Sequence, residues 1–240
     1  DALDGSPIDL DANILALNVG VAASGAVAVN AALTGNVVAN SVTAEIDDST
    51  VTSTAGDIVL DSDLSSGIIA LTVGVAGSGS VAVNATGFGN VIANSTTASI
   101  TGGSTVTATA GAVDLDAETS GLIRSAAVSV AGSGAVAVGA LIGANVVTNA
   151  TAADIVSSTV EAGSTLDVQA RNSSEILGLS VGVAGSGAAA VLLSLSANVI
   201  TDTTRASIQG TDADRSSIDA GGAVTLNAAD ESEINTIAVG

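Results

Sequence analysis

VGVAGSGSVAVNATGFGNVIANSTTASI, residues 73–100, is one copy of a pattern that runs through the whole chain. Its opening recurs as VGVAASGAVAVN at 19–30, VSVAGSGAVAVG at 128–139 and VGVAGSGAAAVL at 181–192. Gly25, Gly79, Gly134 and Gly187 stand 54, 55 and 53 residues apart, and the segment after each glycine keeps step: Asn36, Asn90, Asn145 and Asn198, then Ala44, Ala98, Ala153 and Ala206, each with Ile two residues on. A fixed period of about 54 residues means one structural unit stacked on itself. Residues 1–240 read as a single continuous array of about four and a half repeats without a linker. The closing Val239-Gly240 matches Val19-Gly20, so the sequence has the look of a window in a longer chain.

A fainter copy lies inside each repeat. AGDIVLDS at 55–62, AGAVDLDA at 110–117 and GGAVTLNA at 221–228 follow the scheme of SGAVAVNA at 24–31. The glycines of the two schemes alternate at intervals of 23 or 24 and of 29 to 35 residues. Two related half-units of this size predict two coils per repeat, about eight coils and a rod roughly 40 Å long at the ~4.8 Å spacing of paired strands. One large irregular coil per repeat is the alternative. The variable half should carry a protruding loop, the longest being Gln209 to Ser217 with Asp212, Asp214 and Arg215.

The local periodicity is that of strands. Val73, Val75, Val81 and Val83 share one parity, while Thr72, Gly74, Ala76, Ser78, Ser80 and Ala82 share the other. The valines are expected to form a core face, the small residues a close-packing face, and the Ser-Gly step a corner. Val, Ile and Thr dominate the expected strands, and Gly, Ser, Asn and Asp punctuate them. The fold class is all-β, a parallel β-helix or β-solenoid. Stacked coils leave little room for large aromatics, and Phe88 is the sole one.

Composition narrows the partners. Lys and Arg number 4 against 24 Asp and Glu, a formal charge of −20, and the cations are Arg124, Arg171, Arg205 and Arg215. Nucleic acid is a poor partner for such a chain. Residues 64–113 carry no charge, yet the apolar runs fall short of the ~20 residues of a spanning helix and no aromatic girdle exists for a barrel, so membrane insertion is not expected. The expected partners are neighbouring repeats or copies of the chain itself. Absence of Cys removes disulfides and thiolate metal sites and is compatible with secretion.

VGVAGSGAVAVN-type segments followed by NVIANSTTASI and GGSTVTATAGAVDLDA resemble the repeat regions of very large secreted bacterial surface proteins of the filamentous-haemagglutinin-like adhesin type. That resemblance extends over essentially all of the chain. It implies a right-handed parallel β-helix, export to the cell surface or the extracellular space, and a structural role in attachment or matrix, with a host or neighbouring cell surface met through parts outside these residues.

No catalytic, cofactor-binding or metal-binding residue is assigned, and the chain is not expected to be an enzyme. It has no His, Lys, Cys or Tyr, and its carboxylates recur by repeat position instead of gathering once. Asp9 and Asp11, Asp57 with Asp61 and Asp63, and Asp114 with Asp116 and Glu118 alternate with apolar residues and should point outward together. The favoured reading is a solvated face that resists lateral strand pairing; weak calcium binding is the alternative, although the glycine-rich nonapeptide of calcium β-rolls is absent. Asn36, Asn90, Asn145 and Asn198, and Asn40, Asn94, Asn149 and Asp202, should form ladders along the axis. The competing reading is glycosylation, since Asn84, Asn94, Asn149 and Asn172 begin N-x-[ST] triplets. Thr50, Thr52 and Thr54 and Thr105, Thr107 and Thr109 make a TxTxT face like that of ice-binding solenoids, but it decays to Thr159, Glu161 and Gly163 and then to Ser217 and Asp219, leaving ordinary strand propensity as the reading.

Overall fold

The computed structural model describes residues 13–240 and contains strands and turns but no helix among them. Its first coil is β1 (Ile14–Ser24), β2 (Val27–Val38), β3 (Ser41–Asp47) and β4 (Thr50–Ser53). The second is β5 (Ile58–Ser78), β6 (Val81–Thr101) and β7 (Thr105–Ala108); the third is β8 (Val113–Ser133), β9 (Val136–Val156) and β10 (Thr159–Ala162). The fourth is β11 (Leu166–Ser186), β12 (Ala189–Ile200), β13 (Thr203–Gln209) and β14 (Ser217–Ala220), and β15 (Val224–Val239) starts a fifth.

All pairing is parallel and sequential. A front sheet runs β1-β5-β8-β11-β15, a back sheet β2-β6-β9-β12 with β3 and β13 continuing its outer strands, and a narrow end sheet β4-β7-β10-β14. The chain is therefore a parallel β-solenoid with flattened coils. A 21-residue strand such as β5 is about 70 Å long, turns at Ser-Gly-Ser (the tip), returns as the back sheet, and crosses the end sheet (the base) to begin again.

Each repeat of about 54 residues makes one coil, not two. Ile14 pairs with Ile68, Ile68 with Ile123 and Ile123 with Ile176, each a full repeat onward. The half-units are the two corners of a single coil: residues 78–85 enter the back sheet at the tip, and 110–117 enter the front sheet at the base. A half-unit of 23 to 35 residues is consumed by one 21-residue strand and its turn, so it cannot return to the side where it started. The described coils rise about 20 Å along the axis, half the length the two-coil reading gives.

A second expectation reverses. Along β5 the buried parity holds Ile58, Leu60, Ser62, Ser66, Ile68, Ala70, Thr72, Gly74 and Ala76, without a bulge. Val73 and Val75, of the other parity, face outward and are half-buried only by the matching valines of adjacent coils. Val81 and Val83 do the same on β6, where Ala82 and Asn84 point inward. Near the base the interior is an ordinary apolar core of Ile58, Leu60, Ile100, Val106, Val113, Leu115 and their neighbours. Towards the tip it becomes a thin layer of Gly, Ala, Asn, Thr and Ser, interrupted by an isoleucine band (Ile68, Ile92, Ile123, Ile176) and by Phe88 with Ala127 and Leu141.

Small residues are needed because the two sheets approach closely there. A Cβ on Gly74 would lie 2.2 Å from Thr86 Oγ1 and 2.7 Å from Asn84 Oδ1. Across the repeats the facing pairs are Gly20 with Asn30, Gly74 with Asn84, Ser129 with Gly139, and Gly182 with Leu192. In three of these pairs a large side chain on the back sheet meets a glycine on the front; at Gly139, which faces only Ser129, Leu192 of the next coil reaches into the space, which keeps the volume between the sheets filled. The tip glycines have a different cause: a Cβ on Gly134 would sit 2.2 Å from the carbonyl oxygen of Gly79 in the coil before.

Candidate functional site

The described residues present a ladder-filled interior, an acidic base and an apolar tip half. Inside, Asn36 Nδ2 donates to Asn90 Oδ1 (2.7 Å), Asn90 to Asn145 (2.8 Å) and Asn145 to Asn198 (2.7 Å), while Asn145 Nδ2 also reaches Ser125 Oγ across the gap between the sheets. These bonds satisfy amides that lie 0–1% exposed at Asn145 and Asn90. The second column is stitched differently. The backbone N–H of Asn94 donates to Asn149 Oδ1, and that of Asn149 to Asp202 Oδ1 at 2.7 Å. Asn40 reaches Ser66 Oγ instead of Asn94.

A third and a fourth row escape a reading of the sequence. Asn30 donates to Asn84 Oδ1 (2.7 Å), and Thr151, Thr119 and Thr96 pass hydroxyl bonds of 2.7 Å from back sheet to front and back again. The signal for the Asn row is present in VAVN, but its break at Gly139 hides it. The N-x-[ST] asparagines Asn84, Asn94, Asn149 and Asn172 are all buried and face inward, a position no glycan can occupy.

On the outer face of the front sheet at the base, carboxylates stack by register. Val59, Asp114 and Asp167 form one column, Asp61, Asp116 and Gln169 the next, and Asp63, Glu118 and Arg171 a third. Arg171 holds Asp116 at 3.0 Å. Burial pushes the Asp114 carboxyl above its usual range, and Asp167, Asp57 and Asp116 add to that. Among the described residues no three His, Cys, Asp or Glu side chains converge on one point as a metal cage requires. Asp9 and Asp11 lie outside the described residues.

On the outer face of the back sheet at the base, Asp154 is buried under Arg205, with Ser207 Oγ donating to it at 2.6 Å. The TxTxT face is two columns wide on the end sheet, Thr50-Thr105-Thr159-Ser217 and Thr52-Thr107-Glu161-Asp219, and in the second column acidic residues replace threonine after two coils. Residues 210–216 form the protruding loop where other coils turn within three residues; Thr211 N–H donates to the Asp214 carbonyl at 2.9 Å. Asp212, Asp214 and Arg215 share this turn, where the Asp214 N–H donates to Thr211 Oγ1 at 3.0 Å.

The tip half is the reverse of the base. Its outer positions are Val, Leu, Ile, Ala and Gly on the back sheet, and largely so on the front, where Arg124 intrudes. No helix of the described residues is long and apolar enough to cross a membrane. Comparisons with family models, with curated proteins and with solved structures find no match for this chain.

Proposed function

We propose that the chain is a segment of a structural shaft, part of a giant bacterial adhesin or matrix fibre that lies outside the cell and displays adhesive parts away from it. What carries the reading is the uninterrupted residue-for-residue register from Ile14 through Ile68, Ile123 and Ile176 to Ile234. Stacking of this kind adds stability coil by coil, and a cross-section about 70 Å wide resists bending. Each repeat adds only about 4.8 Å, so a long shaft of this design requires a very long chain, in keeping with the family that the sequence resembles. Nothing in the role calls for catalysis or a cofactor.

The unpaired strands at both ends of the stack favour a second reading. Among the described residues, β1, β2, β3 and β4 at one end and β12, β13, β14 and β15 at the other pair on one side only, and through such edges a filament subunit would polymerise head to tail. Small-angle scattering and negative-stain imaging of the 240-residue protein separate the two. At the length of a 21-residue strand, finite particles with a longest dimension near ~75 Å at every concentration support the shaft; long unbranched filaments growing with concentration support polymerisation.

A further inference from the structure

We propose that the tip half of the back sheet is a self-association surface, on which a second copy of this solenoid lies face to face. The proposal stands apart from the shaft reading. Outward positions from Val81 to Val91, and their register partners in the coils on either side, are Val, Ala, Leu, Ile or Gly without exception. Leu33 is 72% exposed, and Ile142 is 53% exposed although it belongs to an interior coil. Both stand in one column on either side of Gly87 and border a notch of about 310 Å³. The face thus carries both projections and a hollow, which an isologous pair can interlock.

Three features select a second copy as the occupant. The first is area. Ten residue steps along β9 by four coils give about 33 Å by 19 Å, or ~630 Å², approaching the ~800 Å² per partner of a stable interface, and each further repeat enlarges it. The second is period: like residues recur every ~4.8 Å along the axis, and another stack with the same period can interdigitate along the whole face as paired β-sheets do in a dry zipper. The third is charge. A molecule of net charge −20 repels its copies, but no carboxylate lies on the tip half of the back sheet, so this face brings no like charges into contact. The front sheet is a poorer candidate because Arg124, Glu175 and Glu233 point outward along it.

Analytical ultracentrifugation of the 240-residue protein from about 1 to about 100 µM tests this, with circular dichroism to verify folding. The expected result is a dimer that tightens with added salt, as screening removes the repulsion between acidic bases. Ile142→Lys should weaken it at least tenfold, and Val128→Lys on the front sheet should change it less than twofold. Ile142→Thr keeps strand propensity and should weaken association if the lysine variant fails to fold. A protein monomeric at about 100 µM overturns the proposal, as does association that survives both Ile142 variants, as end-to-end pairing would. Dissociation by Val128→Lys alone, or a monomer that floats with phosphatidylcholine vesicles through Ile142, also overturns it.

Discussion

Replacing Asn145 by alanine tests how much of the fold rests on its internal ladders. Asn145 is fully buried in an interior coil, where it accepts from Asn90 at 2.8 Å and donates to Ser125 at 2.9 Å and Asn198 at 2.7 Å. At about 1 kcal/mol net for each of the three bonds, plus about 1–3 kcal/mol for the Asn90 donor left without its partner, the loss is about 4–6 kcal/mol. Asn36 occupies the same column in the first described coil, is half-exposed, and makes one bond, to Asn90. Its replacement by alanine costs about 1 kcal/mol because water reaches the orphaned acceptor. Asn145→Leu separates volume from hydrogen bonding: it refills the space yet leaves the same partners unsatisfied, so its cost stays above about 2 kcal/mol. Urea unfolding followed by far-ultraviolet circular dichroism reads the difference, with Asn145→Ala lowering the midpoint by about 1–2 M. Equal costs for Asn36→Ala and Asn145→Ala, or an Asn145→Ala midpoint within about 0.2 M of the parent, would refute the ladder as a source of stability.

Gly134→Ala should destabilise by more than ~2 kcal/mol, because its Cβ meets the Gly79 carbonyl of the preceding coil at 2.2 Å, whereas Gly132→Ala, with nothing within 4 Å, should be neutral or slightly stabilising in the same unfolding experiment. Gly143→Val should be as damaging, since its Cβ falls 2.2 Å from the Phe88 ring; combined with Phe88→Ala it should recover at least ~1 kcal/mol relative to additivity, and a double variant that is simply additive contradicts this packing. Asp114 has its folded pKa raised by burial and by Asp167, Asp57 and Asp116, so the folded state binds its proton more tightly than the unfolded chain and loses stability as pH rises above the usual carboxylate range. Asp114→Asn should therefore raise the urea midpoint at neutral pH, and the gain should vanish as the pH is lowered through that range; a gain independent of pH contradicts the assignment.

The repeat, its strands and the inward asparagine column from Asn36 to Asn198 are legible in the sequence because stacking copies each position onto itself, so period and register are one observation. The number of coils is not. The kinship of 78–85 with 110–117 records two corners built alike, and similarity alone does not distinguish corners of one coil from successive coils. The direction of the valines misleads for a related reason. β-Branched residues signal strands and, on most proteins, the core, and so Val73 and Val75 suggest an inner face. The contrary signal lies fifteen residues back: Leu60 is an unmistakable core position, and an unbroken strand from Leu60 to Val75 puts the two on opposite faces. Only the absence of a bulge in β5 decides the matter, and no residue type announces it. The Thr96-Thr119-Thr151 row is invisible because it joins strands of different sheets, which periodicity along the chain does not relate.

One coil per repeat is the claim on which the rest depends, and an engineered disulfide tests it without imaging. The chain has no cysteine, and Val91 and Val146 are register partners on adjacent strands. Neighbouring parallel strands stand about 4.8 Å apart, within the Cα separation a disulfide accepts, whereas two coils per repeat would set the pair about 9.6 Å apart, beyond it. A protein carrying Val91→Cys and Val146→Cys should close an intramolecular bond under mild oxidation, read by mass spectrometry. The pair Ala82→Cys and Asp114→Cys, adjacent only if the half-units stack on each other, should stay reduced; closure of that second pair with failure of the first would contradict the single-coil solenoid.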